Sequence, residues 1–589
     1  MTTPMQLMVP AQNRDRSPFS GGTPAHLEAW LEELPRGDPR ICGGRLLDSL
    51  WSANRAPLTR MSRFELAEAL RPVIYDTADR LIRRYHVAPL PLSEETAKVA
   101  LLVSQLLEEL AIGFKLAVND MLGRSSLSRD DRLSMQIAMQ RSLLAHGRCL
   151  LEAYRTYAPE PEHIWRAVHM LYRNAEALRL QAQPIEGTRD SDETALSIKQ
   201  AYMRLVLLAL ANPYHLMQGE AEEIYRRLGR WVHFVRVITP SPEDALDGRF
   251  VVDLDSHLPP RYASRQHRLP PPANPRVFGV EDLLRTLAGN IRNLESTLRR
   301  QPCRTLLAER MQLDMYNRLY TALAGRNERK SPRRPSVARV RMTDGLAACH
   351  YFLNERVPFS PGQAEPCTHG CSDNTNPMPT ATNGNGVAAG RASALTATAE
   401  GPGIGSSAEP AAAKSFRSML WSRKNESDGG MALFCPQGIP SRTRVGELVA
   451  YTQTTIGDAP GKSWAVGVIR WMRTRAQDGV EIGIQHLADS GYAATAWQVN
   501  GSDVDTAASS PLCALITPRV PKPENTAASL VTPPGSCDVG NLLRLTVGGK
   551  TLHVELEELL DATRFFARFR YSIRKLPPTI AAPSKRGKS

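Results

Sequence analysis

Arg329-Lys330-Ser331-Pro332-Arg333-Arg334-Pro335 and, further along, Asn425-Glu426-Ser427-Asp428-Gly429-Gly430 are the two stretches whose reading decides the fold. Arg329 and Arg333 stand four apart where a helical pattern gives way to a strand pattern, so both can fold around one compact dianion. A guanidinium is permanently charged, and its planar fork of donors matches phosphate oxygens or the O6/N7 edge of guanine. Asn425 and Ser427, two apart on an extended segment, point to the same side, where an amide and a hydroxyl can meet one planar edge. Gly429 and Gly430 then permit a tight turn or a close backbone approach. Taken singly, the first stretch also fits a solvated basic linker and the second an ordinary surface turn.

Working outward, Val337–Met342, Leu346–Phe352, Val445–Tyr451, Trp464–Met472 and Val480–Leu487 are short, rich in β-branched or aromatic residues, and bounded by Gly, Pro, Asp or Ser. This pattern predicts strands of a small antiparallel barrel. Residues 360–414, rich in Ala, Gly, Thr, Pro and Asn, cannot bury enough surface to fold and read as a disordered insertion. Upstream, Phe64, Leu66, Leu70, Val73, Ile74, Leu81 and Ile82 recur on one helix face. Ser93 is the expected N-cap of an amphipathic run to Val118, with Glu94 and Glu95 complementing the dipole. Further helices are expected at 130–157, 162–183, 193–211, 217–236, 279–300 and 304–324, with a short strand at Phe250–Asp255. Downstream, Leu542–Val547, Thr551–Leu556 and Phe565–Ile573 read as strands.

Arg-x-x-x-Arg ahead of a strand, then Asn-x-Ser-x-x-Gly opening a later strand, resembles the signature of the PilZ domain family of cyclic di-GMP receptors. Pro332 before Arg333, and the segments GVIRWMR and GVEIGIQHL, add to the likeness, which covers residues 329 to about 490. The distance between Arg333 and Asn425 departs from a compact barrel, but the insertion supplies the excess, and loop-closure entropy grows only logarithmically. The expected architecture is a multidomain α plus β chain. Residues 1–24 are a disordered N-terminus. Residues 25–325 form a helical region, either a bundle or irregular helical pairs, and 326–495 form a PilZ-type antiparallel β-barrel containing the insertion. Residues 510–576 form a small β-rich C-terminal module, followed by a basic tail at 577–589. The resemblance implies that Arg329 and Arg333 clamp the phosphates and guanine faces of cyclic di-GMP. It further implies that Asn425 and Ser427 hydrogen-bond a guanine, that Gly430 lets backbone pass close, and that Arg334 adds charge. The expected role is non-catalytic: ligand binding orders the arginine hinge and reorients the helical region, which also contacts a protein partner. The alternative is an adaptor or scaffold, related to surface motility or pili, whose barrel has lost the nucleotide.

The chain has 589 residues and a formal net charge of +13, which points toward anionic partners without choosing among them. Nucleic acid is the third class, motivated by Arg568, Arg570 and Arg574, against which stands a simple exposed strand face. The start lacks an apolar h-region, and the apolar runs Val99–Leu110 and Leu205–Ala211 are too short or interrupted to span a membrane. Nine scattered cysteines do not make a disulfide framework. A cytoplasmic protein without cofactor is expected. Cys367, His369 and Cys371 lack a fourth zinc ligand. Cys349-His350 reads as two packed residues on opposite strand faces. The EAL tripeptides at Glu68 and Glu176 sit in helical patterns without surrounding carboxylates.

Overall fold

Serine caps start four of the long helices in a computed structural model of the chain. The structure describes residues 4–574 except 59–60, 125, 184, 186–195, 265–270, 301–306, 326–331, 361–415, 437–442, 455–462, 476–478, 500–509 and 519–527. The helices are α1 (Pro24–Glu32), α2 (Pro39–Ala53), α3 (Arg63–Ile82), α4 (Glu94–Leu122), α5 (Arg129–Arg155), α6 (Ile164–Ala177), α7 (Ile198–Leu210) and α8 (Glu220–Trp231). Ser62 and Glu65 form a reciprocal capping box at α3, as do Ser128 and Asp131 at α5 and Ser197 and Gln200 at α7. Ser93 caps α4 as the sequence predicts, its hydroxyl accepting from the Thr96 amide at 3.3 Å. α4 and α5 are the buried centre, with Leu106, Leu110, Phe114, Leu143 and Leu150 all in the shared core.

From residue 4 onward the segment ahead of α1 is packed, where a disordered stretch over residues 1–24 is expected from sequence. The Asn174 side-chain amide exchanges hydrogen bonds with the backbone of Met5, and Asn119 does the same with Leu7, at 2.6–2.9 Å. Leu7 and Phe19 are buried, and the Phe19 ring meets Trp30 edge-on. Two amides standing in for a strand partner fix this polar segment, and their distance along the chain hides the pairing from a local reading.

After α8 comes a four-stranded sheet of β1 (Arg236–Ile238), β2 (Phe250–Asp253), β3 (Arg261–Tyr262) and β4 (Pro275–Gly279), ordered β1-β4-β2-β3. Only β2 was expected. Helices α9 (Glu281–Arg300) and α10 (Leu307–Leu323) lead to the middle barrel. Its elements are β5 (Arg334–Pro335), β6 (Arg339–Asp344), α11 (Leu346–Leu353), β7 (Met419–Ser427), β8 (Gly430–Cys435), β9 (Leu448–Gln453), β10 (Ala465–Arg475) and β11 (Gly479–Ala488). The order is β5-β7-β6-β9-β10-β11-β8, closed by pairing of β7 with β8. A second closed barrel follows, with strands β12 (Tyr492–Gln498), β13 (Leu512–Thr517), β14 (Ser529–Thr532), β15 (Leu542–Val547), β16 (Lys550–Ala562) and β17 (Ala567–Ile573) in ring order β12-β13-β14-β17-β16-β15. Its first strand therefore begins inside the range expected for the middle barrel.

Leu346–Phe352, expected as a strand, is a helix. Ala348, Cys349 and Phe352 are buried at helical spacing, and a short apolar run cannot be assigned by periodicity alone. α11 plugs the seam between the barrels, where Cys349, Val468, Leu487, Leu515, Val531 and Phe566 share one core. The middle barrel is equally fused to the helical region: Trp421, Val449, Ile469 and Ile482 belong to the same core as the helices. At the end of β10 the Thr474 amide donates to the Tyr157 carbonyl at 2.7 Å, and Arg473 lies over the Tyr214 ring at 4.4 Å. Among the described residues no helix is long and apolar enough to cross a membrane.

Phe566 is fully buried where the two barrels meet. Replacing it with alanine should cost about 3–5 kcal/mol in denaturant unfolding of the full chain. A loss below roughly 1 kcal/mol would mean that this seam does not contribute to stability.

Candidate functional site

Strand pairing, not side-chain contact, first brings the two sequence motifs together. β5 is hydrogen-bonded to β7 with Arg334 opposite Glu426 and Pro335 opposite Asn425. β7 then turns through Asp428-Gly429 into β8, with Ser427 opposite Gly430. The Ser427 hydroxyl donates to the Gly430 carbonyl at 3.2 Å, stapling the turn, and the His486 amide donates to the Gly429 carbonyl at 2.9 Å. These bonds tie the tip of the hairpin to β11.

Arg333, Asn425, Ser427 and Gly430 line one open pocket, about 200 Å³ in volume. Gly429 and Met431 complete the hairpin side, Arg470 and Trp471 come from β10, and Gly483, Ile484 and Gln485 form the floor on β11. Arg334 sits in the β5–β7 ladder with its side chain exposed, and Arg329 lies outside the described residues. The zinc-like Cys367, His369 and Cys371, residues 361–414 of the expected insertion and the basic tail lie outside them too.

Gly430 has a reason of its own. A Cβ there would fall 2.0 Å from the Ile484 carbonyl oxygen, so β8 can approach β11 only without a side chain. Gly483 plays the same part for Trp471: a Cβ would lie 1.8 Å from the indole Nε1, so the half-buried indole lies directly against the β11 backbone.

β-Bulges flank the pocket on both sides. In β7 the pairing with β8 skips Lys424, and in β10 the pairing with β11 skips Arg470. A bulge sets two residues against one and re-aims a side chain, so Arg470 and its neighbour Trp471 both reach the pocket. Sequence reading misses Arg470 and Trp471 for this reason, since strict alternation assigns adjacent residues to opposite faces; it misses Gln485 as well. The one signal available was Arg470 and Trp471 side by side after the apolar run Ala465–Ile469, with Gly483 facing the indole in β11.

The surroundings are electropositive. His215, half-buried and within reach of the site's charges, is pushed down to about 4 by desolvation first and then by the charges of Arg473, Arg318, Arg333 and Arg470. Counter-charges stand behind these cations: Arg318 pairs with Glu220 at 2.7 Å and Asp314 at 2.8 Å, and Arg470 pairs with Asp561 of the C-terminal barrel. Arg333 is exposed at the mouth. The arrangement offers guanidinium forks, one amide, one hydroxyl and a flat aromatic surface, which suits a planar, anionic ligand.

Other singled-out residues are occupied by packing. Glu68 bonds Arg71 and Arg141, and Glu176 bonds Arg276, so both EAL glutamates serve ion pairs. Arg570 pairs with Glu558 at 2.9 Å and Arg574 with Glu555 at 2.7 Å, while Arg568 stands opposite Asp561 on the neighbouring strand. That face is a ladder of alternating charge. Cys349 and His350 lie in a helix, not a strand; the thiol donates to the Leu448 carbonyl at 3.8 Å, and burial raises its pKa well above the usual range.

Comparison with known proteins agrees along nearly the whole chain. Residues 25–242 match the model for the N-terminal domain of the cyclic-di-GMP receptor FimW, residues 249–492 its middle PilZ domain, and residues 501–574 its C-terminal β-barrel domain. The cyclic-di-GMP receptor FimW of Pseudomonas aeruginosa is 24% identical to this chain over 594 residues, covering 96% of this chain and 93% of that protein.

Because of the contact at Ile484, Gly430→Ala should disrupt the hairpin and lower unfolding stability by about 2 kcal/mol or more. Urea unfolding checks this, and an unchanged midpoint would show that β8 does not approach β11 so closely.

Proposed function

Because the chain belongs to the PilZ family of cyclic di-GMP receptors, we propose that its middle barrel binds cyclic di-GMP at the β5–β7 junction and passes a conformational signal to its neighbours. The family's role is binding rather than catalysis. The observation that carries the reading is one pocket lined by Arg333, Asn425 and Ser427.

In this reading Arg333, with Arg329 preceding it, grips phosphate oxygens and a guanine edge through charge-assisted bonds. Asn425 and Ser427 present their polar atoms to a guanine from one face of β7. Trp471 offers a flat surface for a purine, worth about 1–3 kcal/mol per stacked base. Gly430 acts indirectly, by letting the hairpin close against β11. Arg334, exposed in the ladder, contributes long-range charge at most. The pocket is smaller than the roughly 300–1,000 Å³ of a site that engulfs its ligand. It would therefore seat part of the dinucleotide, the rest facing the arginine segment.

That segment joins α10 to β5, so a ligand held by it touches the connection between the helical region and the barrel. The helical region would respond if its two arrangements differ in affinity for ligand. Small-angle scattering at saturating cyclic di-GMP should then give a profile distinct from that of the free chain. Superimposable profiles would remove the signalling half of the proposal.

Isothermal titration with cyclic di-GMP tests binding itself. Arg333→Ala and Ser427→Ala should each weaken it about tenfold or more, as expected for loss of a charge-assisted or buried polar contact. Absence of heat with the wild-type chain would favour the adaptor reading, in which the helices bind a protein partner and the barrel is a scaffold.

A further inference from the structure

Arg470 serves two domains at once. Its Nε donates to the Gln485 side-chain oxygen at 2.7 Å inside the pocket, and its NH2 group meets the Asp561 carboxylate on β16. Asp561 is only 10% exposed, whereas Arg470, which lines the pocket, is 32% exposed. These two bonds use two of a guanidinium's five N–H groups, and because Arg470 lines the pocket the others can turn to an incoming anion.

We propose that Asp561 of the C-terminal barrel sets the affinity of the nucleotide pocket, because it competes with the ligand for Arg470. This rests on the reading of the pocket as a cyclic di-GMP site. With Asp561 charged, Arg470 is already neutralised, and an anionic ligand must share it with a carboxylate that repels the phosphates. Binding therefore weakens the tie between pocket and C-terminal barrel, and by reciprocity that tie weakens binding.

The exchange leaves no bare buried charge. Asp561 stands opposite Arg568 in the β16–β17 ladder, and Arg568 is close enough to feel both Asp561 and Arg470. When Arg470 turns to the ligand, Arg568 keeps Asp561 compensated, which removes the usual penalty for breaking a buried pair. The β16–β17 register also shifts between Leu559 and Asp561, so the ladder is already interrupted at the point where the tie would loosen. Asp561 is a positioning residue; it acts on the ligand through Arg470.

The test is titration of the full-length chain with cyclic di-GMP for wild type, Asp561→Asn and Asp538→Asn. Asp538 pairs with Arg310 of α10 at 3.0 Å, so its replacement removes the same charge and an ion pair to the same barrel, away from the pocket. Asp561→Asn should bind about three- to tenfold tighter, the effect of removing one competing ion-pair partner, while Asp538→Asn should match wild type. Structural damage would weaken binding, not strengthen it. If wild type binds and Asp561→Asn binds equally or less well, the competition is refuted and the pocket stands. If wild type fails to bind, the pocket reading falls and this inference with it. Should Asp561→Asn not fold, hydrogen exchange of the wild type decides: ligand should speed exchange around Leu559–Ala562 and Ala567–Arg570. Unchanged or slower exchange there would overturn the proposal.

Discussion

A strand of two residues holds the site together. β5 exists because Arg334 and Pro335 find partners in Glu426 and Asn425, and this pairing sets an arginine segment beside a hairpin far away in sequence. Adjacent strands lie about 4.8 Å apart, so the ladder brings Arg333 within reach of whatever Asn425 and Ser427 hold. The barrel supplies what so short a strand cannot. β7 is also fixed by β6 on one side and β8 on the other, and β8 by β11. The length of chain between Arg333 and Asn425 adds little to this balance, because closure cost rises only with the logarithm of length.

Around that junction, irregularity supplies the chemistry. Bulges at Lys424 and Arg470 break the alternation of two strands on either side of the pocket, and glycines at 430 and 483 let a backbone and an indole come closer than any other residue permits. β10 carries the consequence outward. Along one strand, Arg470 faces the pocket and Asp561, Arg473 rests on Tyr214, and Thr474 bonds Tyr157. Three domains thus meet on one strand, and packing as tight as a protein interior transmits displacement instead of absorbing it.

Much of this was legible in the sequence. Helical periodicity and the Ser93 cap give the helical region, short β-branched runs give β6, β9, β10, β11 and β15–β17 but not β12–β14, and the resemblance carried by the two motifs names Arg333, Asn425, Ser427 and Gly430, which line one pocket. What escaped has physical causes. Leu346–Leu353 is too short and too apolar for periodicity to distinguish helix from strand. Met5 and Leu7 are fixed by amides of Asn119 and Asn174, which lie more than a hundred positions away. Arg470 and Trp471 reach the pocket through a bulge, which is a matter of register that alternation along one strand does not give. Their partner Asp561 belongs to another barrel altogether, and no local pattern links the two.

The most direct measurement is a crystal structure of the chain with cyclic di-GMP. Convergence of the arginine segment and the hairpin on one ligand predicts density in the β5–β7 pocket, with guanidinium groups of Arg329 and Arg333 bonded to phosphate or guanine and with Asn425 and Ser427 on a guanine edge. Density bound elsewhere on the molecule, or a ligand that leaves Asn425 and Ser427 untouched, would contradict it.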